Sequence, residues 1–271
     1  MLRGGEKFKI DSGKMVRLPW RNGRHARIAR MSADAARIAA NIRSVRERLV
    51  RAAANAAVRS GRAVAETKII AVSKTFSAAD IRAAYDAGIR DFGENRLQEW
   101  DSKRAQLADI AANATWHMIG HVQSNKAARV AQLFDRVDSV DSIALAQKLD
   151  SAAAVGKKRL PVLIEVHLSD EESKSGVSEA ELSPLAEAIA LLAHLDLQGL
   201  MTIPPYFENA EPARPYFRKL RELRDALSAK LGRELPILSM GMSHDFEVAI
   251  EEGATEVRIG TDIFGGRAKP A

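Results

Sequence analysis

Eight short apolar runs, separated by seven stretches with helical periodicity, constrain the fold of this chain more than any other feature. They are Lys68–Lys74 (KIIAVSK), Arg90–Asn95 (RDFGEN), Trp116–Gly120 (WHMIG), Arg136–Asp141 (RVDSVD), Pro161–Leu168 (PVLIEVHL), Leu197–Ile203 (LQGLMTI), Pro236–Met242 (PILSMGM) and Glu256–Thr261 (EVRIGT). Helical patterns cover 78–87, 96–111, 123–134, 142–154, 178–194, 211–231 and 244–252. Strands that alternate with helices pair in parallel, because each crossover returns the chain to the end where it started. Eight such units close a (β/α)8 barrel, for which about 250 residues is typical. The competing arrangement is an open doubly wound sheet, which favours fewer strands and a glycine-rich first turn. Here the first turn is Ser73-Lys74-Thr75, with no G-x-G-x-x-G. The sequence predicts an α/β protein with one (β/α)8 TIM barrel.

The ends of the helical patterns agree. Gly88, Gly156, Gly232 and Gly253 each follow one, as a C-terminal cap does. Ser142 and Ser178 stand where N-caps belong. Ahead of the first strand, Ala35, Ile38, Ala39, Ile42, Val45 and Leu49 recur at spacings of three and four, a buried helix face with Ser32 as its expected N-cap. The barrel domain is therefore expected over 31–271, and 1–30 reads as a flexible basic extension.

Charge separates the same two parts. The net charge of +6 invites a nucleic-acid reading, but residues 1–30 hold nine Lys/Arg and two Asp/Glu, which leaves −1 for residues 31–271. A near-neutral body has no need of a polyanionic partner. The chain has no cysteine, which rules out disulfides, thiolate metal sites and a cysteine nucleophile, and suits the reducing cytoplasm. No apolar run approaches the roughly 18 residues that a membrane helix needs.

In a barrel of this kind the site lies at the C-terminal ends of the strands. Those ends carry, in order, Lys74; Gly93, Glu94 and Asn95; Gly120 and His121; Asp141; His167; Met201 and Thr202; Ser239, Gly241, Met242 and Ser243; and Arg258, Gly260 and Thr261. The last two strands, in SMGMSHDF and RIGTDIFG, bring Ser, Gly and Thr together. Small residues let backbone N–H groups approach an anion, and barrels often hold phosphate after these strands. Arg258 shares a side of its strand with Gly260, so it is either paired with a buried carboxylate or turned to a ligand. Lys74, across the mouth from such a cradle, suits Schiff-base chemistry, provided that its amine is shifted from the usual value of about 10.4 toward the neutral form.

The segments IIAVSKTFSAADIRAAYDAGIRDFGENRLQEW, WHMIGHVQSNKA, SDEESKSGV, LQGLMTIPP and LSMGMSHDFEVAIEEGATEVRIGTDIFG resemble the pyridoxal phosphate homeostasis protein family, single-domain relatives of the N-terminal barrel of alanine racemase. The resemblance implies a barrel that carries pyridoxal 5′-phosphate as an aldimine of Lys74. It implies that Ser239, Gly241, Ser243, Gly260 and Thr261 surround the phosphate, that Met242 packs on the same loop and that Met201 and Asn95 line the cofactor. Arg258 is expected at the pyridine nitrogen. Three positions depart from the common pattern: His244 stands where an acidic residue is usual, and Glu165 and His167 stand where Gln and Asn often do.

The function expected on this basis is intracellular cofactor homeostasis with little or no turnover, in a monomer, with PLP-dependent apo-enzymes as recipients and neither nucleic acid nor membrane as partner. The racemase uses a second domain, and after Phe264 this chain has only GGRAKPA. Of Tyr85, Tyr206 and Tyr216, only Tyr206 is expected near the mouth. A PLP-dependent racemase or decarboxylase is the alternative, and a class I Schiff-base aldolase a more distant one. A metal enzyme is disfavoured, because His117 and His121 span a strand end and its loop rather than one helix face. The acidic run Asp170–Glu172 reads as a solvated turn.

Overall fold

The described residues of the computed structural model are 8–11, 14–17, 23–60, 66–169 and 175–266, with side chains from residue 33 onward. Eight strands form the centre: β1 (Lys68–Val72), β2 (Asp91–Glu94), β3 (Thr115–Met118), β4 (Arg136–Val140), β5 (Leu160–Glu165), β6 (Leu195–Met201), β7 (Ile237–Met242) and β8 (Glu256–Ile259). They pair in parallel in chain order, and β8 pairs with β1 to close the barrel. The predicted (β/α)8 architecture is the one observed.

Helices α1 (Gly23–Ser60), α2 (Ala78–Asp86), α3 (Leu97–Lys103), α4 (Ala108–Ala111), α5 (Ala127–Leu133), α6 (Ile143–Val155), α7 (Glu179–Ala190), α8 (Arg214–Leu231), α9 (Phe246–Glu251) and α10 (Thr261–Phe264) accompany the strands. Their starts follow from local chemistry. The Ser142 hydroxyl accepts from Leu145 N at 3.3 Å, and the Glu181 carboxylate accepts from Ser178 N at 3.0 Å, both as the serine positions predict. Ser77 begins α2 in the same way, accepting from Asp80 N at 3.2 Å.

Two helices differ most from expectation. The first helix begins at Gly23, so Ser32 lies inside it rather than at its cap. Residues 24–31 (RHARIARM) contain neither Gly nor Pro, and Arg, Ala and Met are strong helix formers that extend the helix upstream. Further upstream, Phe8–Asp11 and Lys14–Arg17 pair as an antiparallel ribbon. The helix expected over 96–111 is divided into α3, a 3-10 turn at Arg104–Leu107 and α4. The turn Asp170–Glu172 lies outside the described residues.

The helix face of α1 is buried as its spacing requires, with Ile38, Ile42, Val45 and Leu49 at most 8% exposed. Behind β2 and β3 the Trp100 and Trp116 rings stack at 3.7 Å, and Phe92 stacks on Trp116 at 5.1 Å. The barrel interior is polar near its base. Arg136 and Asp138, two residues apart on β4, point inward together. The Arg136 guanidinium donates to Asp138 at 2.6 and 2.9 Å and to Glu256 of β8 at 2.9 Å. His117 of β3 joins the cluster, 3.0 Å from Asp91 and 3.7 Å from Asp138. Burial works against these charges, yet their mutual pairing outweighs it. Arg136 stays charged, the Asp138 carboxyl is held far below its usual range, and the His117 imidazolium is favoured.

Candidate functional site

The strand ends open onto a cavity of about 510 Å³, within the range of small-molecule pockets. Seven of the expected site residues line it: Lys74, Asn95, Met242, Ser243, Arg258, Gly260 and Thr261. The other three lie behind the wall. Met201 and Ser239 are fully buried. Gly241 has φ +90°, and a Cβ there would come within 2.6 Å of Ala249 Cβ and 2.9 Å of Phe246 Cα, so it lets α9 pack tightly against its loop.

Lys74 occupies the turn after β1, where Phe76 N donates to Ser73 O at 3.1 Å. Thr75, the next residue, takes φ +70°, a costly conformation for a β-branched residue. Its N–H donates to the Glu99 carboxylate. Lys103 of α3 reinforces the turn, donating to Ser73 O at 3.1 Å and Glu99 Oε1 at 2.5 Å. The half-buried Lys74 side chain is therefore presented by an anchored turn rather than a loose strand end.

Arg258 lies in the cavity floor, 3% exposed. Its guanidinium donates to Ser239 O at 2.7 Å, Ser239 Oγ at 2.8 Å and Thr202 O at 2.7 Å. Among the described residues no carboxylate lies within 4 Å of it; the barrel's ion pairs belong to Arg136 instead. Three of its five N–H donors are used, and the other two have no acceptor among the described residues. Ser239 thus acts beneath the site, holding Arg258 in place. Burial lowers the Arg258 pKa from its ordinary value.

On the opposite wall lies Glu165, at the end of β5 and 4% exposed. Oε1 accepts from Ser175 Oγ at 3.1 Å, while the buried Oε2 has no hydrogen-bond partner among the described residues. The strand ends at Glu165, three residues earlier than its apolar run suggested. That makes Glu165, rather than His167, the cavity residue of β5. Its exposed neighbour His121 pairs with Asp141 at 2.8 Å. Apolar walls come from Val72, Phe76, Ile119 and Ile203. Of these only Val72 lies within a strand; the other three follow strand ends, where no alternation marks them as inward. Tyr206 is 77% exposed and tilts against His244 at 5.2 Å, which places it at the rim.

Burial pushes the Glu165 carboxyl above its usual pKa, and the Ser175 hydrogen bond and the Arg258 charge only partly oppose this. An acid whose pKa is raised on folding contributes stability below the unfolded value and loses it as pH rises through the folded value. Thermal unfolding of the ligand-free protein from about pH 4 to about pH 7 should therefore show a smaller stability decline in Glu165→Gln than in wild type. Equal declines would show that the carboxyl is well solvated. Glu94, raised by the same burial, keeps part of the decline in both proteins.

A closed parallel barrel with a lysine after β1, an inward arginine on β8 and hydroxyl- and glycine-bearing loops after β7 and β8 defines a small-molecule-binding barrel of the alanine racemase type. The alanine racemase N-terminal domain family matches residues 33–268. The chain is 48% identical over 230 residues to the pyridoxal phosphate homeostasis protein of Pseudomonas aeruginosa, covering 85% of this chain and 96% of that one. It is 47% identical over 209 residues to that of Aquifex aeolicus, covering 77% and 91%. PipY of Synechococcus elongatus, solved with PLP bound, superposes with a TM-score of 0.74 at 37% identity, covering 84% of this chain and all of PipY. The alanine racemase of Corynebacterium glutamicum shares the fold, with a TM-score of 0.60 at 21% identity over 84% of this chain and 60% of that one. The chain belongs to the alanine racemase N-terminal domain family and, within it, to the pyridoxal phosphate homeostasis proteins.

Proposed function

We propose that the protein binds pyridoxal 5′-phosphate in the barrel mouth, through Lys74, and serves in intracellular cofactor homeostasis with little or no turnover. The observation that carries this reading is the joint presence in one cavity of Lys74, the Ser243, Gly260 and Thr261 loops and an arginine with two undirected N–H donors. The donor set fits the cofactor: hydroxyl and backbone N–H groups for its phosphate, a cation for the ring edge and an amine for the aldehyde. The names of the relatives, and PipY solved with PLP bound, support the same reading.

When bound, the cofactor supplies an aldehyde carbon and an electron-accepting ring. Lys74 would hold the cofactor at that carbon through its amine in the neutral form. Ser243 and Thr261 would donate to phosphate oxygens, and Asn95 would line the ring. Arg258 would direct its remaining N–H donors to the ring nitrogen. A guanidinium stays charged, so it does not readily yield a proton there, and carbanion chemistry is correspondingly disfavoured.

Recipients in this reading are PLP-dependent apo-enzymes, the protein acts as a monomer and its place is the cytoplasm. A second reading, an amino-acid racemase or decarboxylase, draws on Glu165, a buried acid in the same cavity. An absorbance titration with the cofactor, followed by amino-acid turnover assays, tests both. Saturable binding without turnover is the expected result. No binding would overturn the cofactor reading, and sustained turnover would favour the enzyme.

No candidate site residue lies in the basic extension. Removal of residues 1–30 is therefore expected to leave cofactor affinity within about twofold, a change of under roughly 0.5 kcal/mol, in the same titration. A large loss would assign the extension a role in binding.

A further inference from the structure

Two carboxylates stand close behind the loops assigned to the phosphate. Asp262 follows Thr261 directly, and Glu247 lies four residues after Ser243. Unpaired, both would oppose an anion held by those loops. One side chain from a distant part of the chain pairs with both. Arg48 of α1 donates through Nε to Glu247 Oε1 at 2.9 Å and through Nη2 to Glu247 Oε2 at 3.1 Å, a two-pronged pairing. Its Nη1 donates to Asp262 Oδ2 at 2.5 Å, and Nη2 reaches Ser243 O at 3.5 Å. The guanidinium carbon lies 4.4 Å from the centre of the Phe246 ring.

The loops on either side are tied to each other at the same point. Asp262 N donates to Ser243 Oγ at 3.3 Å, which occupies a lone pair of that hydroxyl and leaves its O–H available to an anion. Two more α1 side chains hold the β8 loop: Arg37 donates to Phe264 O at 2.8 Å and Asn41 to Ile263 O at 2.9 Å. Of the three, only Arg48 bridges the β7 and β8 loops and neutralises the acids beside them.

We propose that Arg48 is a positioning residue for phosphate recognition, cancelling the charge of Glu247 and Asp262 behind the Ser243 and Thr261 loops. The role rests on the cofactor reading above and concerns only the phosphate end of the ligand. The Glu247 carboxyl is held below its usual range, first by its hydrogen bond to Arg48, so it is ionised and needs that cation at neutral pH.

The test compares pyridoxal 5′-phosphate with pyridoxal, which keeps the aldehyde and lacks the phosphate. Affinities are measured for wild type, Arg48→Ala, the Glu247→Gln/Asp262→Asn double variant and the triple variant combining all three changes. Arg48→Ala should weaken pyridoxal phosphate binding roughly tenfold, as two uncompensated charges near an anion would, and leave pyridoxal unchanged. The triple variant should recover most of the loss, because the opposing charges are gone. The double variant keeps Arg48 and its packing over Phe246. It should bind pyridoxal phosphate at least as tightly as wild type, and it stands as an independent arm should Arg48→Ala fold poorly. Unchanged pyridoxal phosphate affinity in Arg48→Ala, an equal loss for both ligands without rescue, or weaker binding by the double variant would each overturn the role. A wild type that binds neither ligand overturns the cofactor reading, and the Arg48 role with it.

Discussion

Arg136→Met is expected to destabilise the protein by about 3–5 kcal/mol, the usual cost of removing one partner from a buried ion pair. Arg136, Asp138 and Glu256 are 5%, 0% and 3% exposed, deep in the barrel. The guanidinium satisfies both carboxylates, and without it Asp138 retains only His117 as a cationic neighbour within 4 Å among the described residues. Two buried carboxylates would then have to be desolvated without compensation or take up protons. The loss compares with a total stability of about 5–15 kcal/mol for a typical domain. Arg136→Met/Asp138→Leu/Glu256→Leu should recover much of it, since an apolar core of similar volume avoids the desolvation altogether. Urea unfolding of the three proteins measures both effects. A single variant within about 1 kcal/mol of wild type, the range of surface pairs, would show that water reaches the cluster.

Gly199→Ala should be at least as damaging, for a steric reason. Gly199 pairs with Ile237 between β6 and β7, at the point where the β5–β6 register shifts by one residue. A Cβ at Gly199 would lie 1.9 Å from Ile237 O and 2.7 Å from its carbonyl carbon, so the two strands must separate. The next residues on this seam carry the floor of the site: Met201 pairs with Ser239, and the Thr202 and Ser239 carbonyls hold Arg258. A loss of about 3 kcal/mol or more is expected, in the range of severe backbone strain, together with weakened ligand binding. An alanine variant with the wild-type melting temperature and affinity would show that the seam yields without cost.

Much of the barrel is legible in the sequence, because β-strands buried on both faces must be continuous apolar runs and the helices between them carry a one-sided period. Sequence and structure part where local signals compete. Ser32 has the chemistry of a cap, but the helix-forming residues before it carry α1 back to Gly23. The strand ends revealed Lys74, Asn95, Arg258, Gly260 and Thr261, since position along a strand is enough to place a residue at the barrel mouth. Position does not distinguish the wall from the layer beneath it. Ser239 therefore supports Arg258, and Gly241 supports α9, instead of lining the cavity. Glu165 stood out in sequence only as a departure from a familiar pattern; its buried oxygen, without a partner among the described residues, is a tertiary fact. Arg48 had no local signal at all. Its partners lie 195 to 214 residues away, and nothing in SVRERL separates it from the other arginines of an exposed helix face.

The central claim is that Lys74 anchors pyridoxal phosphate in this cavity. Borohydride reduction of the cofactor-treated protein, followed by peptide mass mapping, tests it most directly. A single reduced cofactor adduct on Lys74, absent from Lys74→Ala and accompanied in wild type by a visible absorption band before reduction, is the predicted result. An unmodified Lys74, with no band even at saturating cofactor, would contradict the account.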